Sequence, residues 1–273
     1  YNALPLDDGM WGMMPLVVYG HEEDVVWIAD RAGVPLTITP DELAAARARV
    51  KKDKFRVITP DPPDEGKLAT AVTQGIWSCI NLFTEKPPKG SKNNFGFAAY
   101  QHWANMLIKP KAKRSWAKEF PPGVKLYAGL TSAFSDIETF GHEGGADRGK
   151  YADFLDEAGL ILDKPALKPI AEQFRASETA WHALGQALLP DAVPLLQETR
   201  QLMLKGRRLF IEKGNEGLEE RIQVNGRLAA IKAELAADFP LDEAGVQALQ
   251  DNIRVHILTI HDIEEKAIAD LKG

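Results

Sequence analysis

The chain has 273 residues, of which 45% are hydrophobic and 26% are charged, a balance typical of a folded globular protein. Its formal net charge of −6 and the lack of a basic stripe argue against a nucleic-acid partner or an anionic membrane surface. No apolar run approaches the roughly 20 residues of a membrane helix. The single cysteine excludes an intramolecular disulfide framework, so we expect a cytoplasmic protein.

The first predicted element is a β-hairpin. Two runs rich in β-branched and aromatic residues, 16–19 and 25–29, flank the polar segment 20–24, which predicts a five-residue turn between antiparallel strands. Because both runs are apolar at successive positions, we expect each strand to be covered on both faces. Pairing that is symmetric about the middle of this turn would place Met14 opposite Asp30.

A capped helix and a third strand are predicted next. Thr39 is a candidate N-cap, the proline after it fits the first helical position, and Glu42 completes a capping box. The helix is predicted to run to about Lys51. The segment 54–60, KFRVITP, is predicted to be a third strand, and the acidic, proline-rich segment 60–66 ends the β-containing part.

Beyond this segment nearly the whole chain is predicted to be helical. Several mostly apolar helices lead to long amphipathic helices at about 194–212, 217–238 and 242–272. In the last of these, apolar residues recur at near-heptad spacing: Val246, Leu249, Ile253, Ile257, Ile260 and Ile268. Such stripes favour antiparallel bundle packing, with a coiled-coil homodimer through the C-terminal helices as the alternative. The predicted fold class is α+β, with a β-containing part at 1–62 and a mainly α-helical part at 63–273.

The glycine-rich loop GHEGGADRGK is the first candidate site. Glycines just before a helix allow backbone N–H groups to converge on an anion, and Arg148 would add positive charge. Gly144, Gly145 and Arg148 are therefore candidate ligands of a phosphate, such as that of phosphopantetheine. A tight connection between helices, with glycines at positive φ, is favoured over the anion site as the interpretation of this loop.

The remaining nucleophilic and metal-ligating residues favour structural roles. Cys79 lies in an apolar helix, where burial would raise its pKa and make it inert. His182, beside a tryptophan, is predicted to lie at the boundary of an amphipathic helix. His261 shares a helix face with Glu264 and Glu265, and a solvated charged face is favoured there over a metal site. No metal site is predicted.

The hairpin, the capped helix and the segment GHEGGADRGKYADFLDEAG together resemble the butirosin biosynthesis protein H-like family. Its members have a papain-like N-terminal domain followed by a helical domain of unassigned role, DUF4872. The resemblance covers roughly residues 1–190. It implies that residues 1–62 are the C-terminal part of a papain-like, cysteine-peptidase-like domain and that 63–273 form the DUF4872-like domain. It also implies that the chain is the later part of a longer protein.

The resemblance implies acyl transfer, in which a cysteine takes an acyl group from a carrier thioester and passes it to an amine. Asp30 stands at the position of the acid that orients the catalytic histidine. Met14 occupies the expected histidine position, and the nucleophile's segment would precede Tyr1, so the catalytic set is degenerate or the register is different. Without its partner, Asp30 could equally bond to backbone amides in the next turn.

The implied partners are an acyl carrier protein and a small amine acceptor, and no cofactor is implied. Two other functions remain open from the sequence. One is a cysteine-peptidase-like amide hydrolase, because both reactions share an acyl-enzyme and differ only in whether an amine or water attacks it. The other is a non-catalytic helical module for interaction or dimerisation.

Overall fold

The computed structural model describes residues 15–50, 55–85 and 93–273. The chain divides into two compact units, one formed by Tyr1–Pro63 with Gln201–Ile231 and one by Asp64–Arg200 with Lys232–Gly273. The described residues are mostly helical and include one small antiparallel sheet, which confirms the coarse part of the predicted α+β fold class. None of the described helices has both the length and the apolar character needed to cross a membrane.

The sheet of the first unit has three antiparallel strands in the order β1 (Val17–Glu22), β2 (Val25–Ala29) and β3 (Leu36–Ile38). The turn between β1 and β2 is shorter than predicted, because β1 continues through Gly20 to Glu22. A bulge between Val18 and Gly20 also shifts the register along the hairpin.

The third strand lies earlier in the chain than the sequence predicted. Leu36 in β3 pairs with Ile28 and is completely buried beside it. By contrast, Val57 and Ile58 of the predicted strand 54–60 are largely exposed and belong to no strand. Sheet pairing and burial therefore override the β-propensity of that segment.

β1 is an edge strand, and its apolar side chains are mostly exposed. Val17, Val18 and Tyr19 are each about half exposed or more, whereas Val26 and Ile28 on β2 are buried. The prediction that both strands are covered on both faces is therefore wrong for the described residues. Burial of alternate β2 residues is the pattern of an antiparallel sheet with one covered face.

Helix α1 (Pro40–Arg49) begins at the predicted capping box. The backbone N–H of Glu42 donates to the Thr39 hydroxyl at 3.2 Å, and the backbone N–H of Thr39 donates to Glu42 Oε2 at 2.8 Å. The helix buries none of its residues. Since little tertiary packing supports it, its start depends on the cap.

Residues 201–231 join the first unit through the edge of β3. The Thr37 N–H donates to Asn215 Oδ1 at 3.0 Å, and Asn215 Nδ2 donates to the Thr37 carbonyl at 2.9 Å. An amide side chain thus makes the pair of bonds that a neighbouring strand would make. The sequence prediction instead placed residues 201–231 in the helical part, 63–273.

Helices make up the second unit, and two further helices have residues in both units. The helices of the second unit are α2 (Leu68–Thr84), α3 (Gly96–Ile108), α4 (Trp116–Glu119), α5 (Val124–Phe134), α6 (Arg148–Ile161), α7 (Leu167–Leu188) and α10 (Glu243–Lys272). The two that have residues in both units are α8 (Pro194–Lys213) and α9 (Leu218–Ala237).

The core of the second unit is formed by α2, α6, α7 and α10. Its fully or nearly fully buried members include Ile80, Leu155, Phe174, Ala171 and Ile268. The near-heptad stripe predicted on α10 is buried along its whole length: Val246, Leu249, Ile253, Ile257, Ile260 and Ile268. The stripe is therefore covered within the chain, mainly by α7 and α3, and bundle packing is the arrangement observed.

Candidate functional site

An irregular turn at the end of α5 brings an acidic side chain into the interior. α5 passes directly into a π turn over Ser135–Thr139, in which the Phe140 N–H donates to the Ser135 carbonyl at 2.8 Å. Ile137 and Glu138 are both buried in this turn. π turns are rare in proteins, and those that occur are often found at functional sites.

Glu138 pairs with His182 on α7. The imidazole Nδ1 lies 2.9 Å from both carboxylate oxygens. The Glu138 side chain is 9% exposed, whereas the His182 side chain is 47% exposed. A carboxylate at Nδ1 fixes the orientation of the ring, so that Nε2 is the nitrogen available for proton transfer. A buried acid therefore orients a half-exposed histidine.

Glycines border this pair because a side chain at their positions would collide with it. A Cβ atom would lie 2.6 Å from Glu138 Oε2 at Gly144, 2.7 Å from Glu138 Oε1 at Gly185, and 3.1 Å from His182 Nε2 at Gly145. Gly144 and Gly145 also have φ angles of +85° and +53°, which glycine adopts without penalty. The sequence prediction of a tight connection with glycines at positive φ is confirmed.

The loop remains left-handed through two residues that are not glycine. Ala146 has φ 53° and ψ 32°, and Asp147 has φ 57° and ψ 25°. Each such residue costs about 1–2 kcal/mol. The Asp147 carboxylate accepts the backbone N–H groups of His142 at 2.8 Å and Glu143 at 3.2 Å. Strain of this kind persists only where its surroundings enforce it, and it is concentrated at functional sites.

A second buried carboxylate, Glu264 of α10, is completely enclosed. It accepts hydrogen bonds from Arg148 Nε at 2.6 Å, the Tyr100 hydroxyl at 2.6 Å, the Ser177 hydroxyl at 2.7 Å and Trp181 Nε1 at 3.0 Å. The donors come from α3, α6 and α7. Four helices of the second unit therefore meet at one charged group.

The electrostatics of this group favour a buried ion pair. Burial raises the pKa of Glu264, but the Arg148 guanidinium and the hydrogen bonds outweigh burial and hold it below its ordinary value of 4.5. Burial lowers the pKa of Arg148, but Glu264 and Tyr100 outweigh burial and raise it. Burial and the neighbouring carboxylate raise the pKa of Tyr100. At neutral pH the carboxylate and the guanidinium are both charged, and the phenol is neutral.

The predicted solvated face at His261, Glu264 and Glu265 is wrong for two of its three residues. Glu264 is completely buried and His261 is 7% exposed. Oxygen or nitrogen atoms of His261, Asp262 and Glu265 lie within 4.8 Å of one another, close enough to share a cation. However, His261 Nδ1 is already 3.0 Å from Asp262 Oδ1 and Nε2 is 3.3 Å from Gln101, so the histidine is satisfied without a metal.

The residues of the predicted anion-binding loop contact the protein's own carboxylates. The Gly145 N–H points to Glu138 Oε2 at 3.4 Å, and Gly144 packs against the same side chain. Arg148 pairs with Glu264. The phosphate ligand proposed for this loop stays a prediction, and the groups expected to receive it already have acidic partners.

Asp30 directly follows β2. Because Val17 lies opposite Ala29, the next pair outward would join Asp30 to Leu16 and not to Met14, so the predicted register is wrong by two residues. Met14 itself lies outside the described residues. The Asp30 carboxylate accepts a hydrogen bond from Arg31 Nε at 2.9 Å. Its role as an orienting acid stays a prediction.

Sequence reasoning missed both His182 and Glu138 as site residues. His182 was assigned to a helix boundary, and its partner lies 44 residues away on a turn with no recognisable sequence signature. The available signal was the cluster of glycines after Glu138, because glycine is required where a buried polar side chain approaches the backbone. The cysteine was predicted correctly: Cys79 is partly buried, and burial raises its pKa.

No curated protein and no solved structure matches this chain. A family model described as "Domain of unknown function (DUF4872)" matches residues 41–194. The matched stretch contains the π turn, the glycine loop and His182, whereas Glu264 lies outside it. Since the match covers more than half of the 273 residues, the chain belongs to the DUF4872 family.

Proposed function

We propose that this chain acts in acyl transfer from a thioester to an amine, with His182 as the base that accepts the proton of the attacking amine. The observation that carries the proposal is the hydrogen-bonded pair of buried Glu138 and half-exposed His182. A histidine oriented by a carboxylate is the arrangement that general-base catalysis uses near neutral pH.

The proposed reaction replaces the C–S bond of the thioester by a C–N bond and moves one proton from nitrogen to sulfur. The amine nitrogen attacks the thioester carbonyl carbon, and its proton moves to His182 Nε2. When the tetrahedral intermediate collapses, the C–S bond breaks and the same proton passes to the leaving thiolate. The products are an amide and a thiol. Glu138 stays ionised and stabilises the imidazolium that forms between the two steps.

The charges around His182 favour an amine over an anionic acceptor. Glu178, one helical turn before His182, packs against Gly145 and Gly149. Together with Glu138 it gives the surroundings of the imidazole a negative character. An amine approaches such a site as a cation and loses one proton to solvent, which frees its lone pair. The neutral amine then attacks, and the proton that it loses in that step is the one that His182 accepts.

The test uses the 273-residue chain, an acetyl thioester of N-acetylcysteamine and a panel of primary amines. Thiol release is followed with a colorimetric thiol reagent, and the amide product is identified by mass spectrometry. His182→Gln is expected to lower the amine-dependent rate about 10²–10⁴-fold, since this is the usual contribution of a general base.

His142→Gln is the matched control, because His142 lies on the same loop and is exposed. It is expected to leave the rate unchanged. Thiol release that yields the free acid and is independent of amine would identify a hydrolase. Equal rates for the unaltered protein and His182→Gln, or no amine-dependent release with any amine of the panel, would contradict the proposal.

A further inference from the structure

We propose that Arg148 is a positioning residue for the Glu138–His182 pair: anchored by Glu264, it holds the left-handed turn Gly145–Asp147 against the imidazole. The expected effect of Arg148 on kcat rests on the proposed function. The position of the turn against the imidazole does not depend on that function and can be measured without any substrate.

Arg148 binds the turn and its anchor at the same time. Its Nη1 donates to the Ala146 carbonyl at 2.9 Å, in the middle of the left-handed turn. Its Nε donates to Glu264 at 2.6 Å, and Nη2 lies 3.1 Å from the Tyr100 hydroxyl. The guanidinium carbon also lies 5.6 Å from the Trp181 ring centroid. The planar, forked donor set of arginine is what allows these contacts at once.

The other side of the turn contacts the proposed base. The Gly145 N–H points to Glu138 Oε2 at 3.4 Å, and a Cβ at Gly145 would be 3.1 Å from His182 Nε2. A displacement of the turn would therefore remove a contact to the carboxylate and open space over the imidazole. Glu138 from the π turn contacts His182, and Glu178 of α7 lies against the same glycine, Gly145, as the imidazole does.

The two buried carboxylates bind consecutive residues of α7. Glu264 accepts from Trp181, and Glu138 pairs with His182. Arg148 connects the first carboxylate to the turn that covers the second pair. A loss of Arg148 is therefore expected to affect the orientation of the imidazole even where the helices keep their packing.

A buried ion pair is not required for stability alone, since well-packed apolar residues often replace such a pair without loss. The double variant Arg148→Met with Glu264→Leu exploits this difference. It removes both charges together and keeps side chains of similar size. The variant is expected to be less stable, because the Tyr100, Ser177 and Trp181 donors lose their acceptor. If the pair only supports the fold, the folded variant should nevertheless keep the His182 ring as it is in the unaltered protein. If Arg148 positions the turn, the variant should still fold, but the His182 ring should lose its fixed orientation.

The measurement is the ¹⁵N NMR spectrum of the His182 ring at a pH where the imidazole is neutral, which reports which nitrogen carries the proton. In the unaltered protein a single tautomer protonated at Nδ1 is expected, because Glu138 accepts at that nitrogen. In the double variant, and in Arg148→Lys, which lacks the forked donor set, we expect this single tautomer to be lost to a mixture. Circular dichroism and the thermal midpoint check that each variant is folded.

Arg175→Lys is the matched control, because Arg175 also joins α6 and α7 but pairs with the solvent-exposed carboxylates of Asp153 and Asp156 instead of a buried one. It should leave the tautomer unchanged. A single Nδ1-protonated tautomer in a folded double variant and in Arg148→Lys would overturn the proposal. In the thioester assay, Arg148→Lys should lower kcat at least tenfold at nearly unchanged KM. Loss of the tautomer without any amine-dependent activity would refute the proposed function alone.

Discussion

Glu138 and His182 show how side chains far apart in sequence become a pair. The π turn after α5 buries Glu138, and α7 presents His182 to it. The sequence identified the glycine-rich loop that lies between them in the chain, because its glycines predicted positive φ angles. It did not predict which side chains those glycines make room for, since that depends on how α5 and α7 pack.

A residue-scale prediction concerns Gly185 on α7. A Cβ there would lie 2.7 Å from Glu138 Oε1, so Gly185→Ala should force the carboxylate away from His182 and lower the free energy of unfolding by about 1–3 kcal/mol. Urea unfolding measures this change. Gly226→Ala is the control, because no atom lies within 4 Å of its added Cβ, and alanine should stabilise α9 by about 0.5–1 kcal/mol. A stabilised Gly185→Ala would contradict the close contact.

Glu264 was predicted to be solvated because a charged residue is usually found at the surface. The spacing of apolar residues along α10 predicts that Glu264 is buried. Glu264 lies four residues after Ile260 and seven after Ile257, which places it on the buried apolar stripe. A charged residue on such a stripe requires a buried partner, and the partner, Arg148, lies 116 residues away.

At the scale of single elements, local signals predicted α1 well and the third strand badly. A capping box is formed by four consecutive residues, so Thr39 and Glu42 identify the start of α1 without any tertiary information. A strand instead needs a partner. Leu36 has one in Ile28, whereas the β-branched residues near position 57 have none in the described part of the chain.

The element-scale prediction is that Thr39→Ala loosens the start of α1. Loss of the cap should cost about 1 kcal/mol, because the Glu42 N–H loses its acceptor. Hydrogen–deuterium exchange of the peptide that begins at Pro40 should become faster. Thr73→Ala is the control, since the Thr73 hydroxyl only donates to the Ala69 carbonyl within α2. Unchanged exchange near Pro40 would contradict a stabilising cap.

At the scale of the whole molecule, the predictable part was the helical composition and the bundle packing of the last helix. The unpredictable part was the return of residues 201–231 to the sheet. Its contacts include the side-chain amide of Asn215, which bonds to Thr37 across 178 residues, the backbone bond from the Gly33 N–H to the Ile211 carbonyl at 2.9 Å, and Phe210 against the buried sheet residues. The periodicity of one segment does not predict contacts with a segment so far away in the sequence.

The whole-molecule prediction concerns stability in acid. The pKa of folded Glu264 lies below 4.5, so the unfolded chain binds the proton more readily. Its contribution to stability is complete above pH 4.5 and is lost as the pH falls through the lower folded pKa. The urea midpoint of the unaltered protein should fall over this range. The urea midpoint of Glu264→Gln should be lower than that of the unaltered protein at pH 7 and should fall less steeply as the pH decreases.

Asp191→Asn is the control for that titration. Contacts with Arg200, Gln197 and Gln186 lower the pKa of Asp191 as well, but its carboxylate is half exposed, so solvent screens the interaction. This variant should follow the acid profile of the unaltered protein closely. A Glu264→Gln profile as steep as that of the unaltered protein would show that other carboxylates dominate acid unfolding.

The position of Glu264 on the last helix also sets a minimum length for a self-sufficient folding unit. The family match ends at residue 194, yet the counter-charge of Arg148 is supplied 70 residues later, at position 264. A protein trimmed to residues 41–194 would leave the guanidinium, the Tyr100 phenol and the Trp181 indole facing an empty furrow where α10 had been. For this chain we therefore expect that α10 must be kept with the matched residues, because a product without it would bury an unneutralised guanidinium.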